Sequence, residues 1–207
     1  ELLELRARNG VGSTAVESGD TETAWSVSIE SLRRFYDGDY PPFRAATTMS
    51  GLAFIEDGTP RVQLDLLLNR ETVALFELAQ NRAIEAEQRV ALIRAAIRAD
   101  SLREAQEQMA IAQKEFTLAP GQKGLMGIQA ESEIDLAQLY VRRGDLSDAA
   151  HLLDAAHNHM VGEDNSVQLR NYAAARGELE LALGHPEAAE STLRAAILKE
   201  ESEARGV

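Results

Sequence analysis

Three histidines fall close together in the second half of the chain, His151, His157 and His159. Imidazole is a common zinc ligand, so their spacing is the first chemistry to test. On one helix, positions 151 and 159 lie about 80° apart, whereas 157 is turned about 200° from 159. The three rings cannot converge, and no His-Glu-x-x-His spacing occurs. They read as surface or capping side chains, and no metal is expected. Paired carboxylates are plentiful, for example Glu131 with Glu133, and Glu200, Glu201 and Glu203. Acid–base catalysis needs such pairs to converge in a water-poor pocket. Solvated helix faces of an acidic chain account for them better. Gly10-Val11-Gly12-Ser13 and Gly121-Gln122-Lys123-Gly124 contain glycine but lack the phosphate-loop spacing and a preceding strand. No nucleophile-elbow serine occurs. The absence of cysteine removes thiolate nucleophiles, disulfides and sulfur-rich zinc sites together. The expectation is therefore no catalytic residue, no cofactor and no enzymatic activity.

Composition agrees with a binding role. The 207 residues are 44% hydrophobic but only 5% aromatic, so alanine and leucine, both strong helix formers, supply the apolar surface. The formal charge of −13 opposes a nucleic-acid partner, which requires a cationic face, and an anionic membrane surface for the same reason. No apolar run approaches the ~20 residues that span a bilayer. A cysteine-free chain fits a reducing compartment, so a cytoplasmic location is expected. The chain begins at Glu1, inside a helical pattern and without Met, and reads as a piece of something longer.

What positions these residues is a repeat. Three segments end in a turn glycine: Gly51 to Gly58, Ala137 to Gly144 and Gly177 to Gly184. Each opens on a small residue seven positions ahead of that glycine, and Phe54 and Tyr140 place an aromatic three residues after the first two small residues. A fourth turn falls at Asp100-Ser101-Leu102 without glycine or aromatic. The turn marks at 58, 100, 144 and 184 give spacings of 40–44 residues, in the range of helical-hairpin repeats. A glycine past the last helical turn takes the left-handed conformation cheaply and stops the first helix. Thr59-Pro60, Ser101, Asp145 and His185-Pro186 then open the second. The small residue admits close approach and the aromatic fills the space beside it.

Second helices share a large-small-large-small stripe: Leu102, Ala105, Met109, Ala112; Leu146, Ala149, Leu153, Ala156; Pro186, Ala189, Leu193, Ala196. The resulting pairs are 42–57 with 60–79, 81–99 with 102–117, 125–143 with 146–160, and 166–183 with 186–203. In 60–79 the alanine places read Gln63 and Arg70, which leaves its register open. Thr21 to Tyr36 reads as the second helix of a truncated pair whose partner survives as Glu1 to Arg8. Segment 9–21 reads as a flexible loop. The stretches 118–124 and 161–165 separate later pairs. The expected organisation is one array over 1–207: a partial repeat at 1–40, then repeats at about 42–80, 81–119, 125–161 and 166–203. Trp25, Phe35, Tyr36, Tyr40 and Phe43 gather at the N-terminal end, where packing is their expected use. Self-association through that end is the alternative.

The small residue, aromatic, turn glycine and alanine stripe resemble the tetratricopeptide repeat (TPR). The resemblance covers about 42–203 and is most specific in 125–160. The long period resembles that of kinesin light chains, and as an Arg-rich, alanine-rich array the chain is also similar to the region preceding the caspase-like protease in bacterial CHAT-domain proteins and to sensor regions of large bacterial ATPase regulators. The resemblance implies an all-α, right-handed α-solenoid of about 8–10 helices, a scaffold for protein–protein interaction whose first helices line a concave groove. A protein or peptide would lie there, and a linked effector would be regulated. An intramolecular spacer packed on its own missing domains is the other role so implied. Groove-facing residues would be Glu87, Val90, Arg94 and Arg98, then Ile134, Gln138, Val141 and Arg142, then Asn171, Ala174, Glu178 and Leu181. Arg94, Arg98 and Arg142 would suit an acidic peptide, because guanidinium groups fork onto carboxylates. The bland reading pairs them with Glu87 or Glu131. Val90 and Ile134 stand where chaperone-binding relatives carry lysine, so a chaperone C-terminus is not expected as a ligand.

Overall fold

The computed structural model describes residues 2–38, 40–118, 125–160 and 166–204. Among them are ten α-helices and no strand. The stretches expected as loops at 118–124 and 161–165 lie almost wholly outside these residues. The chain folds as two compact units, 1–100 and 101–207. The first holds α1 (Leu2–Ser18), α2 (Thr21–Tyr36), α3 (Pro42–Glu56), α4 (Val62–Leu78) and α5 (Arg82–Arg98). The second holds α6 (Leu102–Leu118), α7 (Leu125–Arg143), α8 (Leu146–Met160), α9 (Ser166–Ala182) and α10 (Pro186–Ala204). Short turns make α1/α2, α3/α4, α7/α8 and α9/α10 antiparallel pairs. In the first unit α1 also packs on α3, and in the second α7 packs on α9.

The turns work as their residues dictate. Gly144 (φ +83°) and Gly184 (φ +82°) take the left-handed conformation, so Asp145 N donates to Tyr140 O at 3.0 Å and His185 N to Glu180 O at 2.8 Å. The orphan carbonyls at the helix ends are thereby satisfied. Gln80 (φ 56°) and Asp100 (φ 55°) end α4 and α5 in the same conformation without glycine.

The core of the second unit follows the stripe. Ala149, Leu153 and Ala156 of α8 are fully buried and meet Ala130, Ile134 and Ala137 of α7 and Ala175 and Leu179 of α9. A buried leucine such as Leu153 contributes about 1.5–3 kcal/mol by leaving water. Gly177 shows why a small residue is needed in the last pair: a Cβ there would lie 3.2 Å from Leu193 Cγ. In the first unit Trp25, Phe35 and Phe43 pack against Ala46, Met49 and Phe76, while Tyr36 stands exposed.

Two expectations are corrected. Residues 9–18 are helix, not loop, because α1 runs unbroken to Ser18. Gly12 is buried inside α1, where a Cβ would meet Ser28 Oγ and Val27 Cγ1 of α2 at an ordinary 3.8 Å, so the glycine lies within a helix and marks no turn. The register of α3 and α4 also differs. The first helical bond of each second helix starts from Asp20, Arg61, Ser101, Asp145 and His185. Four residues after each stand Ala24, Asp65, Ala105, Ala149 and Ala189, all buried. The α3–α4 turn is two residues longer than a count from Gly58 allows, so the buried stripe of α4 is Asp65, Asn69, Thr72 and Phe76, whereas Gln63 and Arg70 face solvent. The same shift moves α3. Ala53, not Gly51, takes the place of Ala137, and Phe54 is 70% exposed and does not fill the space between helices.

Candidate partner-binding face

Counting back from the opening residue of each second helix aligns the first helices. Seven places before Arg61, Ser101, Asp145 and His185 stand Phe54, Arg94, Gln138 and Glu178. Three of these were singled out in sequence. Phe54 was missed, because the count from Gly58 assigned it to the interior. Pro60, two residues past Gly58, is the sequence signal that the second helix starts later than a count from the glycine allows.

In the first unit the expected residues Glu87, Arg94 and Arg98 lie within about 60° of one another on α5. Glu87 is exposed and Arg94 half-buried. Arg98 is committed elsewhere. Its Nη2 and Nε donate to Asp65 Oδ2 at 2.6 and 3.2 Å, and its Nη1 lies 2.8 Å from Asp57 Oδ1. Neither Glu87 nor Glu131 is its partner in these bonds. Asp65 is 1% exposed, and its Oδ1 accepts from Asn69 Nδ2 at 2.8 Å. A buried carboxylate persists only with such partners. Glu56 is likewise fully buried and bonds to Arg61 at 2.6 Å and Thr59 at 3.1 Å. Val90 is core, not groove.

In the second unit Arg142 and Glu178 are exposed, and Gln138 and Asn171 are half-buried. Gln138 and Glu178 occupy the same place on the neighbouring helices α7 and α9, with half-buried Val141 and exposed Leu181 one turn further on. Ile134 is fully buried and contributes to the core only. Arg176 bridges Asp154 (3.1 Å) and Glu180 (3.0 Å), and His185 also bonds to Glu180 at 3.1 Å. The His185 hydrogen bond, helped by Arg176, holds the Glu180 carboxyl below the usual carboxylate range.

The histidines go separate ways, as their angles require. His151 is exposed, His157 stacks beside Tyr172 at 5.5 Å, and His159 Nδ1 lies 2.8 Å from Glu133 Oε2. Glu133 is 1% exposed and also accepts from Gln129 at 3.0 Å. Burial pushes its carboxyl up, and the bonds from His159 and Gln129 only partly oppose that. Among the described residues no three His, Asp or Glu side chains converge on a metal-sized space. No helix among them is long and apolar enough to cross a membrane.

No protein-family model matches the chain. No curated protein matches it either. Among solved structures, a candidate kinesin light chain from Podosopora anserina, built of nearly identical TPR-like repeats, is similar over 98% of this chain and 97% of that one, with 15% identity and a TM-score of 0.74. Likeness over the whole length of both chains, together with helix pairs closed by left-handed turns and seamed by alanine, identifies the fold of this protein as the all-α, TPR-like helical repeat.

Proposed function

We propose that the protein is a non-catalytic interaction scaffold, holding a segment of a partner protein against the exposed face of its first helices. The observation that carries this reading is Phe54. A ring 70% exposed stands at a place that its counterparts fill with Arg94, Gln138 and Glu178. Large apolar side chains ringed by polar groups are the usual anchors of protein interfaces. In the first unit the anchor is Phe54, with Glu87 and Arg94 as polar companions. In the second, Leu181 is the exposed apolar side chain, with Glu178 one turn before it and Gln138, Arg142 and Asn171 as further polar residues of the same face. Because Arg98 is held by Asp57 and Asp65, the exposed Arg142 is the cation of this set that meets an acidic segment.

Selection from a displayed peptide library on the whole chain tests the reading. Selected peptides are expected to bind saturably, and Phe54→Ala to weaken the Phe54-directed class about tenfold or more with the melting temperature unchanged. A library without a saturable binder, or binders indifferent both to Phe54→Ala and to Leu181→Ala, would overturn it.

A further inference from the structure

The solvent face of α4 departs from that of the other second helices. Turned about 180° from the buried stripe of Asp65, Asn69, Thr72 and Phe76 stand Leu67, Ala74 and Leu78, within about 40° of one another. Leu67 and Leu78 are 54% and 63% exposed, and Ala74 is exposed as well. Six places after the opening residue, where α4 has Leu67, the other second helices carry Ser26, Glu107, His151 and Ser191, all exposed. Thirteen places after it, where α4 has Ala74, stand Arg33, Lys114, Asn158 and Leu198. Only α4 is apolar at both. Tyr36, exposed at the end of α2, borders the stripe, and burial and then the nearby Glu71 carboxylate push its phenol up.

The stripe is self-complementary. Leu67, Glu71, Ala74 and Leu78 are spaced 4, 3 and 4 residues, a pattern that reads the same in both directions. Alternation of 4 and 3 is the seam of two helices packed at a shallow angle. A second α4 laid antiparallel sets Leu67 against Leu78 of the second copy, and Leu78 against its Leu67. Ala74 of each copy lies near the middle, where a small side chain admits close approach. The charges agree on one flank. Arg70 and Glu77 are exposed and lie on the same side of the stripe, about 60–80° from Leu67. Across a two-fold axis like flanks meet, so Arg70 of each copy comes beside Glu77 of the other. Glu77 already accepts from Arg89 at 2.9 Å, and a carboxylate takes more than one donor. On the other flank the two Glu71 side chains approach each other, the one repulsive element.

We propose that two copies of this chain associate through α4, antiparallel about a two-fold axis, with Leu67, Ala74 and Leu78 at the centre of the contact. An isologous contact of this kind closes at the dimer. One helix face per copy falls at the small end of specific interfaces, so the dimer is weak, with a Kd on the order of tens of micromolar. The charge of −13 on each chain opposes it at low salt and is screened beyond ~8 Å at about 0.15 M. A helix from a different protein requires neither the reversible spacing nor the exchanged Arg70 and Glu77; a second copy requires both. The contact lies on the side of α4 turned away from α3, and so does not involve Phe54.

Sedimentation equilibrium of the whole chain at ~0.15 M salt should show monomer and dimer in exchange. Leu67→Glu or Leu78→Glu should weaken the dimer at least about tenfold with the melting temperature unchanged, because both side chains already face water. Arg70→Glu should weaken it too, whereas Glu71→Gln, which removes the facing carboxylates, should tighten it several-fold. Cross-linking reads the orientation, and the absence of native cysteine keeps it clean. A mixture of Leu67→Cys and Leu78→Cys chains should oxidise to disulfide dimers. Either variant alone should not, since its two sulfurs are held about 16 Å apart along the helices. A chain still monomeric at roughly tenfold the expected Kd would overturn the proposal. So would dimers indifferent to Leu67→Glu and Leu78→Glu, or cross-linking as fast in each variant alone as in the mixture. A different protein seated on the stripe while this chain stays monomeric would overturn it as well.

Discussion

Two buried ionic arrangements bear most directly on how single residues behave. Asp65 occupies a place that is alanine in α2, α6, α8 and α10, and it survives there through Arg98 and Asn69. Arg98→Met is expected to cost about 2–4 kcal/mol, discounted from the fully buried case because the guanidinium reaches solvent. Adding Asp65→Ala should recover most of that loss, since no carboxylate then remains unpaired. Urea denaturation of the single and double variants measures this coupling. Glu133 makes a different forecast. Burial raises its folded-state pKa, so its proton is held more tightly in the native state than in the unfolded one. The stability it contributes is therefore present below the ordinary carboxylate range and lost as pH rises through the raised value. Hydrogen exchange of α7 and α8 should show protection gained on acidification through that window, and Glu133→Gln should flatten the slope. Asp20 and Glu180, both lowered by hydrogen bonds, act with the opposite sign, so only the difference from the variant isolates Glu133.

The helices α3 to α10 were legible almost to the residue, because alanine spacing and turn chemistry speak locally. What failed was the register of α3 and α4. The length of a turn decides which face of the following helix is buried, and Gly58-Thr59-Pro60 contains more than one residue able to end a helix. Only the first bond, from Asp65 N to Arg61 O at 3.1 Å, decides the matter. Segment 9–18 was misread for a related reason. Glycine tolerates both turns and helix interiors, and what holds Gly12 in a helix (α2, with Val27 and Ser28) is not its neighbour in sequence. Among the candidate face residues, Glu87, Arg142 and Glu178 are exposed, whereas the partners of Arg98 come from α4 and the end of α3, beyond the reach of any local pattern. Element ends also yield a test. Gln80 holds φ 56° at the end of α4, a conformation costly for any residue with a Cβ. Gln80→Gly should raise stability by about 0.5–1 kcal/mol, the strain relieved less the entropy glycine adds to the unfolded chain. Ala149→Glu, at the sealed centre of the α7–α8–α9 seam, should lower it by more than about 3 kcal/mol in the same denaturation assay.

For the molecule as a whole, the charge of −13 is a standing source of self-repulsion. Raising the salt from about 20 mM to about 300 mM shortens the screening length roughly fourfold and should raise the melting temperature. A fall instead would mean that the ion pairs around Arg8, Arg98 and Arg176 outweigh the repulsion. In helical repeats stability is drawn from neighbours, and α10 carries Leu193, Ile197 and Leu198 substantially exposed. Its amides should exchange earliest in the second unit.

The lengthened turn between α3 and α4 has a practical consequence for anyone recombining repeats. A graft cut at Gly58, where the repeats align most readily by eye, would deliver the donor's second helix two residues out of phase. Its alanines would turn outward, Glu56 would lose Arg61, and Arg98 would be left without Asp65. A graft cut at Arg61 keeps the phase, and with Arg98 carried along as part of the same cassette the charges remain balanced.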